Sequence, residues 1–149
     1  MIQRKQTVFL LLALIATVVS LCLPLGRWEL PGMGVEPTLY NLASVDANGA
    51  YDFSYCYLFL LLALSSVLSL VTIFLFRNRK LQMTLCKVNL ASIVLWYAAF
   101  AFFVVFGSEM PFHQQFAAYL PFVAAVFVWL AHRGVVADEK LVRAADRIR

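Results

Sequence analysis

Two residues of this 149-residue chain have the types and spacing for acid–base or metal chemistry: Glu109 and His113, four positions apart. On one helical turn they would share a face, as a carboxylate–imidazole base pair or as half of a metal site. A third ligand would have to come from a distant loop, with Asp46 and Asp52 as candidates. No fixed spacing ties those residues together, so the pair reads as part of an ordinary solvated loop. Cys22, Cys56 and Cys86 have neither C-x-x-C nor Cys/His spacing, which argues against zinc or haem. No Ser-x-x-Lys, Gly-x-Ser-x-Gly, His-Glu-x-x-His or phosphate-binding glycine loop occurs. His132, beside Arg133, reads as an interface residue. The expectation is no metal, no cofactor and no enzymatic activity.

A second group is polar but neutral: Ser65, Ser66, Ser69, Thr72, Asn89, Trp96 and Tyr97, all within long apolar blocks. An indole N–H, a phenol O–H or an amide at membrane depth needs a partner, and interhelical hydrogen bonds are the simplest supply. If the two blocks that carry these residues form an antiparallel hairpin, Ser65 and Ser66 fall level with Trp96 and Tyr97, and Thr72 with Asn89. Ser65, Ser69 and Thr72 share one face at helical spacing, the small-residue pattern that lets helices approach closely. Packing is the reading preferred over a ligand pocket.

The elements that must hold these residues are four apolar blocks: 7–25, 55–76, 85–106 and 112–131. Each is close to the ~20 residues that cross a hydrocarbon layer of ~30 Å. With 63% hydrophobic and 13% charged residues, the chain is too apolar for a soluble domain of its size. One membrane domain over 1–149 is expected. The first block is read as a retained helix; it is longer than the core of a cleaved signal peptide. Pro121 falls inside the fourth block and is expected to kink it, because a helix starting at Pro121 would be too short.

Eleven of the twelve Lys and Arg lie at the N-terminus, between blocks two and three or, for Lys87, at the very start of block three, or in the tail. The opposite side has only Arg27, with Glu29, Glu36, Asp46, Asp52 and Glu109. The positive-inside rule therefore places both termini in the cytoplasm. Trp28, Tyr51, Tyr55, Tyr57, Phe112 and Tyr119 form an outer aromatic belt, and Phe76 and Trp129 mark the inner interface. Basic residues scattered between apolar blocks do not make a nucleic-acid surface. Deep in the blocks there is no charge, which counts against a proton-coupled transporter, a voltage sensor or an ion-selective pore.

The outer loop, 26–54, contains Pro31, Gly32, Gly34 and Pro37 and cannot be one helix. Asn48-Gly49 between runs 42–45 and 50–53 predicts a hairpin closed by a primed turn, with residues 27–30 as a possible third strand. The tail, 132–149, is expected to carry a short amphipathic helix from Asp138, with Leu141, Val142, Ala145 and Ile148 on its stripe and Glu139 spaced to pair with Arg143. A plain extension of the last helix past Gly134 is the equal alternative. Cys22 and Cys56 are placed at similar depth, where two buried thiols are preferred over a disulfide. The fold class is thus an all-α four-helix membrane bundle with a small outer hairpin or three-stranded cap.

The opening Met1-Ile2-Gln3-Arg4-Lys5-Gln6-Thr7, running into Leu10-Leu11-Leu12-Ala13, and the closing stretch from Asp138 through Leu141-Val142-Arg143 to Arg149 resemble a Bacteroidota membrane family catalogued as a domain of unknown function. The likeness implies a small four-helix inner-membrane protein and no activity or site residue. In topology alone the plan also resembles claudin-like proteins. The functional expectation is an accessory or scaffold subunit contacting lipid and a membrane-protein partner or a second copy. Alternatives are a transporter or lipid-binding protein for a neutral ligand, and an outer-face enzyme using Glu109 and His113.

Overall fold

The computed structural model describes residues 2–29, 36–75, 78–107 and 111–146. Glu109, Phe76 and Ile148, named above, lie outside the described residues. Four helices, α1 (Ile2–Cys22), α2 (Cys56–Phe74), α3 (Arg79–Phe106) and α4 (Leu120–Asp146), are long and apolar enough to cross a membrane. Helix α1 packs on α2 and α4, and α3 packs on α2 and α4, an up-and-down bundle with each helix between two neighbours.

The buried positions show why these four associate. One seam runs in α1 through Gln6, Leu10, Ala13, Thr17 and Ser20; in α2, Leu58, Leu62, Ser65, Ser69 and Thr72; in α3, Gln82, Cys86, Asn89, Ile93, Trp96, Phe100 and Phe103; in α4, Ala124, Val128, Ala131, Val135 and Asp138, with Ala16, Ser66 and Ser92 buried beside it. These seam positions step by four and three residues in turn, a mean of 3.5, which keeps one stripe of each helix facing its partners. Much of the seam is small or polar, while Val94, Leu60, Phe102 and Phe122 face outward. That inversion suits a solvent as apolar as the side chains, in which close approach and interhelical hydrogen bonds replace the drive to leave water.

Helix α1 stops at Cys22, short of the expected Leu25, because Pro24 lacks a donor and disfavours helical geometry at Leu23. Helix α3 starts at Arg79 rather than 85; Asn78 caps it, its side-chain oxygen accepting from Leu81 N–H at 3.3 Å. The fourth helix departs furthest from expectation. Phe112–Gln114 is a strand, Phe116–Tyr119 a 3₁₀ turn, and α4 begins at Leu120. Pro121 therefore sits in the first turn, where a missing N–H breaks no helical bond and no kink is needed. Length comes from the other end: α4 runs through Gly134 to Asp146, so the tail is no separate amphipathic helix. Leu141 and Val142 face outward, and Arg143 pairs with Glu139 at 3.1 Å.

The cap is larger than a hairpin. Strands β1 (Gly26–Trp28), β2 (Thr38–Leu39), β3 (Ser44–Val45), β4 (Tyr51–Asp52) and β5 (Phe112–Gln114) form one antiparallel sheet in the order β4-β3-β2-β1-β5. Asn48-Gly49 does connect β3 to β4, but not through a primed turn. Asn48 has negative φ; Gly49 N–H bonds Asp46 O at 2.8 Å, and Gly49, at φ 77°, supplies the single left-handed residue after an ordinary turn. The α3–α4 connection reaches the sheet because β1 and β5 meet closely at Gly26: a Cβ there would lie 2.7 Å from the His113 carbonyl oxygen. Glycine alone allows that approach.

Candidate functional site

Three sets of polar side chains meet where the elements converge. The first joins the sheet to the bundle. Asn41, on the β2–β3 link, is fully buried; its amide donates to Ser20 O at 2.8 Å and accepts from the Trp96 indole N–H at 3.0 Å. Ser20 Oγ in turn donates to Ala117 O at 2.9 Å. Tyr97 OH donates to Ala118 O at 2.8 Å and accepts from Phe122 N–H at 3.0 Å, satisfying a donor that the first turn of α4 leaves open.

The second set lies mid-bundle. Ser65 Oγ donates to Asn89 Oδ1 at 2.5 Å, Asn89 Nδ2 donates to Ser69 Oγ at 2.7 Å, and Ser66 Oγ reaches Thr17 Oγ1 of α1 at 2.9 Å. Thr72 Oγ1 bonds back to Leu68 O, and its own carbonyl accepts from Gln82 Nε2 at 3.3 Å. The expected levels are corrected here: Ser65 meets Asn89 and not Trp96, and Thr72 meets Gln82 and not Asn89. The cause is the short α2–α3 turn, which slides the pairing along α3 by about two helical turns. At the far end of α4, the Gln6 amide donates to the buried Asp138 carboxylate at 2.5 Å, tying α1 to α4.

The third set is the exposed acid–base pair. His113 on β5 contacts Glu29, just past β1, at 2.9 Å, and both side chains are more than half exposed. Glu109, its expected partner, is outside the described residues, and His113 is on a strand and not a helix. Asp46 and Asp52 are not brought to it: β4 and β5 are the two edges of the sheet, four inter-strand steps of about 4.8 Å apart. Among the described residues no three His, Cys, Asp or Glu are grouped to hold a metal ion. Asp52 instead closes a local turn, accepting from the Ser54 hydroxyl at 2.6 Å and the Ser54 N–H at 3.0 Å. These bonds, the hydroxyl first, hold its carboxyl below the ordinary range.

Cys22 and Cys56 are both free and exposed, which corrects the expectation of two buried thiols; the buried cysteine is Cys86. Arg133 lies over the Trp129 ring at 4.9 Å, a cation against an indole face. His132 Nε2 is the one buried side-chain nitrogen or oxygen without a partner among the described residues.

Sequence reasoning overlooked Asn41, Ser20, Thr17, Gln82, Gln6, Asp138 and Glu29. All seven lie outside the two blocks searched for partners, Gln82 in the stretch read as a turn. The signal for Asn41 was Trp96, a deep donor whose partner lies outside its own hairpin. A family model described as a domain of unknown function (DUF4293) matches residues 2–148. No curated protein matches the chain.

Proposed function

We propose a role for this chain, which belongs to the DUF4293 family, as a non-enzymatic accessory or scaffold subunit of a larger membrane complex or homo-oligomer. It would sit in a bacterial cytoplasmic membrane with both termini inside. One observation carries the reading: the neutral polar residues at depth bond one another, Ser65 to Asn89 to Ser69 and Asn41 to Trp96, which makes them clamps of a rigid body. Orientation is supported by Lys5, Arg79, Lys80, Lys87, Arg133 and Lys140 on the segments away from the sheet, against Arg27 among the acidic residues of the sheet.

The test is crosslinking in native membranes, mild-detergent purification and quantitative mass spectrometry, with termini mapped by reporter fusions. A membrane protein or second copy at stoichiometric amount is expected. Recovery of the chain alone under several crosslinking conditions overturns the subunit role. The 2.9 Å contact of exposed Glu29 and His113 favours a second reading, chemistry on the outer face. That reading requires the double alanine variant to lose a cellular phenotype at normal protein level; full complementation excludes it. Transport of a neutral ligand draws less support, since Ser65, Ser69 and Asn89 are fully buried and bonded to each other.

A further inference from the structure

A groove of about 580 Å³ lies on the sheet, beside the Asn41 clamp, between the last turn of α1 and the β4 edge. Its main walls are Leu21, Tyr40, Leu42, Val45, Tyr51 and Phe53, with Ala43 at 5% exposure among the lining residues. Leu42, Tyr51 and Phe53 leave large apolar surface in the open, and the rings of Tyr51 and Phe53 stack at 6.5 Å. On the sheet, away from the outward faces of the helices, this apolar surface is shaped as a concavity that an apolar group can enter. The volume is within the range that encloses a small ligand, roughly 300–1,000 Å³.

We infer that this groove holds the acyl chain of a phospholipid from the adjacent leaflet. The groove is continuous with the apolar surface of α1: Leu21 forms one wall, and Val18, Val19 and Leu23 beside it in sequence are all exposed. Lipid therefore reaches its mouth without crossing a polar rim. No charged side chain lines it; the polar side chains there are Thr38 and the hydroxyls of Tyr40 and Tyr51, neutral groups suited to the glycerol and ester level. A second copy fits less well. Asp46 and Asp52 flank the lining residues of β3 and β4, so two copies joined through this face would bring like charges together. The site is independent of the subunit reading and stands if that reading fails.

The experiment is native mass spectrometry of the full chain, purified in mild detergent after reconstitution in phosphatidylethanolamine vesicles. One phospholipid retained per chain is expected. Ala43→Trp, which fills the groove, and Leu42→Glu, which puts a charge on its exposed lip, should each lower that occupancy about tenfold. Val94→Trp, on the outward face of α3, should leave it unchanged. Near-UV circular dichroism checks that each variant is folded, and Leu42→Glu decides the matter if Ala43→Trp is not. No lipid retained by the unmodified chain, or equal retention by the folded groove variants, overturns the proposal. So does retention of a second chain in place of lipid, lost with the same substitutions.

Discussion

The two ends of the bundle are packed by opposite means. Beneath the sheet the core is aromatic: Trp28 meets Phe112 and Phe103 edge-on at 5.4 and 5.8 Å, Tyr55 meets Phe103 at 4.7 Å, and Trp96 stacks on Phe100 at 5.1 Å. Toward the termini the core is Leu10, Ala13 and Ala16 against Ala124, Val128 and Ala131, closed by the Gln6–Asp138 bond. The difference follows from what each end must hold. Strands of two or three residues contribute few ladder bonds, so large side chains must anchor the cap. Helices in lipid gain nothing by hiding one Leu behind another, so α1 and α4 associate through small residues that bring their backbones together.

If the ends differ in this way, they should respond oppositely to changes of side-chain volume. Trp96→Ala removes the ring that stacks on Phe100 and the donor that Asn41 accepts, and should cost the most, about 3–5 kcal/mol. The same truncation at Val128, also fully buried, should cost no more than about 1 kcal/mol. Reversible unfolding in mixed micelles gives both values, and equal losses would dissolve the contrast. Enlargement reverses the sense. Ala13→Leu forces α1 off its neighbours and should cost about 1–3 kcal/mol.

Between the ends lies the ladder, where the expected effect is smaller. Asn89→Ala removes two interhelical bonds, and at roughly 0.6 kcal/mol for each in a membrane the loss should be about 1 kcal/mol. A loss as large as that of Trp96→Ala would make the ladder, and not the aromatic core, the main determinant of stability.

How much of this was legible depended on which signal each region carries. Hydropathy located four helices because a bilayer imposes length, and the small residues at Ser65, Ser69 and Thr72 already marked one seam. The start of α4 was hidden: Phe112 is as apolar as the helix that follows, and only its pairing with Trp28 of β1 makes it a strand. Asn48-Gly49 announced a reversal, yet the residue that takes positive φ is decided by the register of Ser44 with Asp52. Asn41 looked like loop polarity and is instead the bond between loop and bundle. The acid–base pair was half visible, since His113 was chosen on spacing along the chain while its partner Glu29 follows the neighbouring strand β1, distant in sequence.

The smallest predicted effect separates the ends by acid. Asp52 holds its carboxyl below the ordinary value of 3.8 through the Ser54 hydroxyl and then the Ser54 N–H, with slight desolvation opposing. A carboxyl lowered in the folded state stabilises the turn fully above the ordinary value, and that contribution is lost as pH falls through the lower folded value. Acidification below the ordinary value of 3.8 should therefore loosen the end of β4 first. Lower protection factors, each taken against the intrinsic rate at the same pH, should appear at Ser54 and then at Gly49 and Asp46, while α1 and α4 amides stay protected. Ser54→Ala removes the hydroxyl and leaves the backbone donor, so the Asp52 titration, followed by carboxyl carbon shifts, should move up toward the ordinary value without reaching it. A titration unchanged by Ser54→Ala would remove the hydroxyl as its cause. Loss of protection at both ends together would show that the cap and the bundle open as one unit.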